Sequence, residues 1–514
     1  MRSAASIPLR QLPSAQTALR RVRRSATLLT LLGALCLPAS TLGVHASSPS
    51  LIDYPLFNFN PMRTGINPSE RVLTPSTVGR LKRLWSVQLN GVADESVIEL
   101  TGLGPGKIRN LLYTTTRRGV TYALDAGTGA KVWTFDPHDL VLPDAQITTA
   151  TPAADPSKAW VYSASPDGHI HKLSATTGAE AAGWPVSVTL HPQDEKIASA
   201  LNLVGNTLLV TTSGYIGDAG NYVGHVVAIN TQNRRMGIFN TLCDSTTSLL
   251  AEPGGSPTCG HVQSGIWARA GTVVDTMTGS PTQGSAFVVT GNGAYDGIHN
   301  WGDSVLRLTL GGTALALKDA YTPNVFAMLD SQDLDLGSTT PILVPKQPGP
   351  HPWLVVQGGK DNYLRVLNRA DLSGRGGLGH TSGELSALAI PQGGQMPTAG
   401  IAWADSSGKT WIFYTTDKGV GALRLTVAGG RPTLHLAWIH YDTYSSPLLA
   451  DGVLYAAESG ALRAFNPFTG AQLWSSSLAS AGGNIQGVHW ESPTVVNGRV
   501  YMPDESGTIT AYGL

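Results

Sequence analysis

The side chains of this chain that could do chemistry fall into a few short groups. Cys243 and Cys259 lie 16 positions apart in a Gly/Pro-rich segment. In an oxidising compartment such a pair reads as one disulfide closing a loop, with two buried thiols as the alternative. Neither stands in a CxxC or CxxCH context, so attached haem c and a CxxC-type zinc site have no support. His169 and His171 alternate on one strand face and could offer two nitrogens to a metal, but without a third ligand nearby they read as structural. Asn292 stands between two glycines, a place where Asn tolerates a left-handed turn. Asp333 and Asp335 belong to the stretch DSQDLD (330–335), where aspartates also cap loops through backbone N–H groups. Lys360, in Gly-Gly-Lys-Asp-Asn, is not part of a phosphate loop, because no Gly-Lys-Ser/Thr and no helical pattern follows. No Gly-x-Ser-x-Gly elbow is present, so a serine hydrolase of the α/β type has no support.

The elements that must position these groups are strands. The chain has 514 residues, with 35 basic and 35 acidic side chains. That balance argues against a nucleic-acid binder held by bulk charge and against a polybasic membrane-surface protein. Gly (59) and Pro (32) are in excess among apolar runs, and only 14% of residues are charged, which points to many turns joining short strands. One plan recurs: a strand, a polar turn with Gly, a second strand ending near Asp or Asn, then Thr-Gly and often Trp. It is clearest at Leu111–Trp133, Trp160–Trp184 and Val453–Trp474, with degenerate copies at Leu208–Asn230, Ala286–Leu308, Trp353–Asn368 and Trp411–Leu425. Such units read as an all-β propeller, each Trp packing between neighbouring sheets. The last unit, ending at Leu514, lacks its outer strand, while Arg80–Leu89 is a Trp-containing strand without partners. The expected assembly is about eight four-stranded blades (seven is the other count), with the N-terminal strand closing the last blade and removing a bare edge.

The first 46 residues carry six arginines and no acid, then an apolar stretch from Ala26 to Leu37 and a small-x-Ala end at Ala46. That is the pattern of a secretory signal, with a membrane-anchored helix as the other reading. The expected organisation is a signal peptide at 1–46, an N-terminal extension at 47–79 and the propeller at 80–514. Cleavage leaves 29 basic and 35 acidic residues, a net charge of −6, in a periplasmic or secreted protein with no later apolar run long enough to span a bilayer.

The repeats resemble those of the quinoprotein alcohol dehydrogenase-like, or pyrroloquinoline-quinone-like, β-propeller family. The middle of the chain adds to this. Gly265–Asp275 (GIWARAGTVVD), Val288–Gly293 (VVTGNG), Trp301–Leu308 (WGDSVLRL), DSQDLD and Gly358–Arg369 (GGKDNYLRVLNR) resemble that family's central segment. The resemblance implies that Asn292 is an amide-oxygen ligand to an active-site metal, held also by Asp333 and Asp335, and that Asp333 is the base taking the alcohol proton. It further implies that Asp335 is the extra carboxylate of lanthanide-type members, that Lys360 contacts the quinone carbonyls, and that Trp267 is its platform. Trp267 also reads as a core or inter-blade anchor. By register, Asp218 stands beside the position of the family's metal-binding Glu. The implied cofactors are pyrroloquinoline quinone with Ca²⁺ or a lanthanide, and electrons would pass to a separate acceptor. The family also holds non-catalytic propellers. Two readings therefore stand: a quinone-dependent oxidoreductase of small alcohols, or a cofactor-free propeller binding a protein or a glycan.

Overall fold

Asp125 shows why each blade turns where it does. Its Oδ1 accepts the N–H groups of Gly127 (3.0 Å) and Thr128 (2.9 Å) and the Thr128 hydroxyl (2.9 Å). Asn466 and Asn230 hold their turns through the same atom. The side chain replaces backbone partners that the reversing chain leaves unpaired. The Thr-Gly glycine that follows has a second reason. Gly129, Gly178 and Gly470 adopt φ near +70°, and a β-carbon on them would lie 2.5, 2.7 and 2.8 Å from the indoles of Trp85, Trp133 and Trp438. The same indoles donate Nε1–H to the carbonyls of Ala126 (3.3 Å), Ala175 (3.0 Å) and Pro467 (2.9 Å). Each Trp therefore lies flat on the Thr-Gly turn of the next blade and is hydrogen-bonded to it.

The computed structural model describes residues 50–138, 150–197, 199–215, 218–251 and 255–514. The expected signal peptide, 1–46, lies outside them. The described residues form eight antiparallel sheets in chain order, as expected from the repeats. Blade 1 runs from Ile98–Leu103 to Lys131–Phe135, blade 2 from Ala153–Ala154 to Val186–Ser187, and blade 3 from Asn202–Val204 to Met236–Asn240. Blade 4 runs from Val273–Val274 to Ala314–Tyr321, and blade 5 from Ile342–Leu343 to Ser386–Ala389. Blade 6 spans Ile401–Ala404 to Arg431–Tyr441, and blade 7 Leu448–Ala450 to Gln472–Ser475. Blade 8 holds Thr494–Val496, Arg499–Pro503 and Thr508–Gly513, and its fourth strand is Lys82–Gln88, antiparallel to the last. The closing strand starts two residues later than expected because Val78–Arg80 form a 3₁₀ turn. Cys243 and Cys259 are disulfide-bonded, as expected.

Closure thus uses the device that joins blade 1 to blade 2 and blade 6 to blade 7, since Trp85 of the closing strand sits on the blade 1 turn. Trp85→Ala should lower stability by about 2–4 kcal/mol. Urea denaturation measures this, and a loss under about 0.5 kcal/mol would mean that the indole does not hold the latch.

Residues 52–67 fill the bore of the ring. The innermost strands leave edge groups unpaired, and this segment satisfies them. Tyr54 exchanges both backbone hydrogen bonds with Glu99 of blade 1. Pro55 O accepts from Ala154 of blade 2, and Pro61 O accepts from Val274 of blade 4. Ile66–Asn67 pair in parallel with Leu449–Ala450 of blade 7. Phe57 packs on Ala200, Ala270 and Ala399, which lie just ahead of blades 3, 4 and 6.

Glu99 is buried in this seam and accepts Asn497 Nδ2–H at 2.9 Å. Burial pushes its carboxyl from 4.5 up to about 7. A raised carboxyl favours the fold fully below the unfolded pKa, and that contribution is lost as pH rises through the folded one. From about pH 5 to about pH 8, Glu99→Gln should therefore gain on the order of 1–3 kcal/mol relative to the wild type. Denaturant melts at both pH values measure it, and a pH-independent difference would refute it.

Candidate functional site

In each blade the hairpin between the second and third strands and the connection into the next blade lie at the same end of the ring. Every candidate site residue comes from these segments. Trp267 lies in the connection into blade 4, and Asn292 in the blade 4 hairpin. Asp333 and Asp335 lie in the connection into blade 5, and Lys360 in the blade 5 hairpin.

Three aspartates grip the Gly-Asn-Gly turn. The Gly293 N–H donates to Asp330 Oδ1 at 2.8 Å, the Asn292 N–H to Asp335 Oδ1 at 2.9 Å, and Asn292 Nδ2–H to Asp333 Oδ1 at 3.0 Å. Gly291 permits this approach, because a β-carbon there would stand 2.1 Å from Asp335 Oδ1 and 2.8 Å from the Trp267 ring. Lys360 Nζ lies 2.5 Å from Asp335 Oδ2 and 3.0 Å from Asp333 Oδ1. Burial opposes its charge, but the two carboxylates hold the ammonium above its usual range. The two aspartates differ in setting. The Asp335 side chain is 5% exposed and the Asp333 side chain 71%.

Trp267, Asp333, Asp335 and Lys360 line one cavity of about 320 Å³, and Asn292 is bonded to both aspartates. The volume lies at the lower end of small-molecule sites. Trp267 meets the Tyr222 ring edge-to-face at 6.1 Å, so it is at once a packed aromatic and a cavity wall. Asp218 also lines the cavity and accepts the Tyr222 hydroxyl. Burial, and after it the charges of Asp335 and Asp333, hold its carboxyl above the usual range against the Tyr222 hydrogen bond.

Sequence reasoning did not single out three contributors. Arg269 and Trp490 line the same cavity, with the guanidinium 4.5 Å above the Trp490 ring. Arg269 follows Trp267 by two in GIWARAG, so it was within reach of the motif. Trp490 sits in a long connection with no pattern of its own. Asp303, in WGDSVLRL, is buried beneath the turn. Its Oδ1 accepts the Leu336 N–H at 2.9 Å, and its Oδ2 has no partner. Burial pushes it up to about 8, so it is a neutral acid near pH 7. His169 and His171 each turn Nδ1 to a carboxylate, Asp167 and Glu180 respectively.

The donor set suits a hard cation beside a planar anion. Asn292 Oδ1 is buried without a hydrogen-bond partner next to two carboxylates, and oxygen ligands of this kind hold Ca²⁺-like ions. Two indoles offer flat apolar walls, and Arg269 and Lys360 offer positive charge.

The family of glucose/ethanol/alcohol dehydrogenase β-propeller domains matches residues 69–200. The family of the outer membrane protein assembly factor BamB matches residues 382–513. No curated protein matches the chain in sequence. The quinohemoprotein alcohol dehydrogenase ADHIIG from Pseudomonas putida HK5 superposes with a TM-score of 0.63 at 15% identity, over 90% of this chain and 80% of that one. The quinohemoprotein alcohol dehydrogenase from Comamonas testosteroni gives 0.63 at 14%, over 91% and 81%. A europium-containing methanol dehydrogenase gives 0.63 at 15%, over 90% and 98%. At these identities the likeness is one of fold. Repeats and ring together make the chain a PQQ-like β-propeller. Within that class its architecture is that of the quinoprotein alcohol and methanol dehydrogenases.

Proposed function

We propose that the protein is an exported quinone-dependent oxidoreductase of small alcohols. The convergence of Trp267, Asn292, Asp333, Asp335 and Lys360 on one cavity is the observation that supports this most. Asn292 Oδ1 and the Asp335 carboxylate would hold a Ca²⁺ or lanthanide ion, and Trp267, Arg269 and Lys360 would hold pyrroloquinoline quinone. When bound, the quinone accepts hydride and the cation polarises its carbonyl. The protein residues do the rest. Asp335 is buried and bonded through both oxygens, whereas Asp333 is 71% exposed and its Asn292 and Lys360 bonds share Oδ1, so Asp333 is the carboxylate placed to take the hydroxyl proton. Lys360, fixed between the two, holds that carboxylate in place at 3.0 Å. Electrons leave to a separate acceptor. The disulfide fits an oxidising compartment, periplasmic or extracellular.

The second reading is a non-catalytic propeller that binds a protein or a glycan. It draws support from the assembly-factor match over the last blades and from Lys360, which already pairs with both carboxylates. One experiment separates the two. The purified protein is mixed with the quinone and Ca²⁺ or a lanthanide. Quinone absorbance and alcohol-dependent dye reduction are then followed. Binding with turnover supports the enzyme; no quinone binding with any of these metals supports the second reading.

A further inference from the structure

A second group of ligand-type side chains gathers where blade 8 meets blade 1, at the same end of the ring. Asp94 lies in the connection into blade 1, His489 in the connection into blade 8, and Glu505 in the blade 8 hairpin. One ligand atom from each lies within 4.8 Å of the other two. The Asp94 carboxylate is deeply buried, whereas the His489 side chain is 48% exposed, so the group has a fixed base and an open mouth. Arg117 Nη2 stands between the carboxylates, 2.8 Å from Asp94 Oδ1 and 2.6 Å from Glu505 Oε1. The position therefore already holds positive charge, but the fit is incomplete, because Arg117 Nε is buried without a partner.

Glu491 stands close to the group along the chain. It is fully buried, two residues after His489. Its Oε2 accepts the N–H groups of His489 (2.7 Å) and Trp490 (3.1 Å), while its Oε1 has no partner. The carboxyl lies within electrostatic reach of Asp94 and Glu505. An unpaired buried carboxylate oxygen costs free energy unless a proton or a cation meets it. One imidazole nitrogen with two carboxylate oxygens is a donor set for Zn²⁺ and first-row divalent ions, more than for Ca²⁺, which takes oxygens alone.

We infer that Asp94, His489 and Glu505 form a divalent transition-metal site, with Arg117 moving off the carboxylates when an ion enters. The site shares no residue with the Asn292–Asp335 cluster and does not depend on the quinone reading.

The test uses the full mature protein, stripped with a chelator, without quinone, and titrated with Co²⁺. Visible absorption reports histidine ligation, and equilibrium dialysis with metal analysis reports affinity and stoichiometry. The wild type and Asp335→Asn should bind one Co²⁺ with the absorption of a His-ligated ion. His489→Ala and Asp94→Asn should weaken binding by about tenfold to a hundredfold. Arg117→Gln should tighten it. Half-exposed His489 tolerates replacement, and His489→Gln, checked by circular dichroism, provides a second variant. Unchanged affinity in both His489 variants would overturn the site. So would Co²⁺ binding lost in Asp335→Asn but kept in His489→Ala, or no binding by either the wild type or Arg117→Gln.

Discussion

Asp333→Asn is expected to cut kcat for alcohol oxidation by about 10²–10⁴-fold, the range for removing a general base. The substitution keeps an oxygen that can still accept from Asn292 Nδ2 and Lys360, which bond Asp333 Oδ1 at 3.0 Å each. It removes only the ability to take a proton. Cofactor binding should therefore survive, and kcat and kcat/KM should fall together. Dye reduction by the reconstituted variant measures the first effect, and quinone absorbance titration the second. If quinone binds and kcat stays within about threefold of wild type, Asp333 is not the base.

The largest stability effect should come from the bore. Arg63 is 3% exposed and donates to four carbonyls: Ala270 O from Nε (2.9 Å), Phe57 O from Nη1 (2.9 Å), and Ala200 O (3.1 Å) and Leu201 O (3.0 Å) from Nη2. Burial pulls its pKa down to about 9, and the Glu95 carboxylate acts against that. Near pH 7 it is still a cation. Arg63→Ala would leave four buried carbonyls short of a donor and should cost about 3–5 kcal/mol. Arg63→Lys should recover only part of this, because a single ammonium cannot span the fork. Denaturant unfolding measures the cost. A loss under about 1 kcal/mol would mean that the segment at 52–67 is not anchored through Arg63.

The two effects differ in how visible their causes are along the chain. Asp333 stands in a short motif beside Asp335, and its partners Asn292 and Lys360 stand in motifs of their own. A family resemblance could line these up because the ring brings successive connections to one end. Arg63 stands in no motif. Its role comes from carbonyls in blades 3 and 4, and no local pattern marks a carbonyl as short of a donor.

Other features divide in the same way. Thr-Gly turns and the following Trp recur along the chain, so the propeller of about eight blades and a closing strand near Arg80–Leu89 could be read from them. Periodicity is a local property, and each blade obeys it by itself. The paired cysteines were legible because their spacing and setting suffice. By contrast, Asp303 looks like any strand-start aspartate. Burial turns it into a neutral acid, and burial is a sum over neighbours from distant segments. Arg269 and Trp490 share one wall because the connections into blades 4 and 8 converge at the axis. The chain's own pattern was enough for the ring and for the residue types at its mouth. Which of those side chains touch, which stay charged, and what fills the bore depended on contacts across the ring, where distance and dielectric rather than order along the chain set the energies.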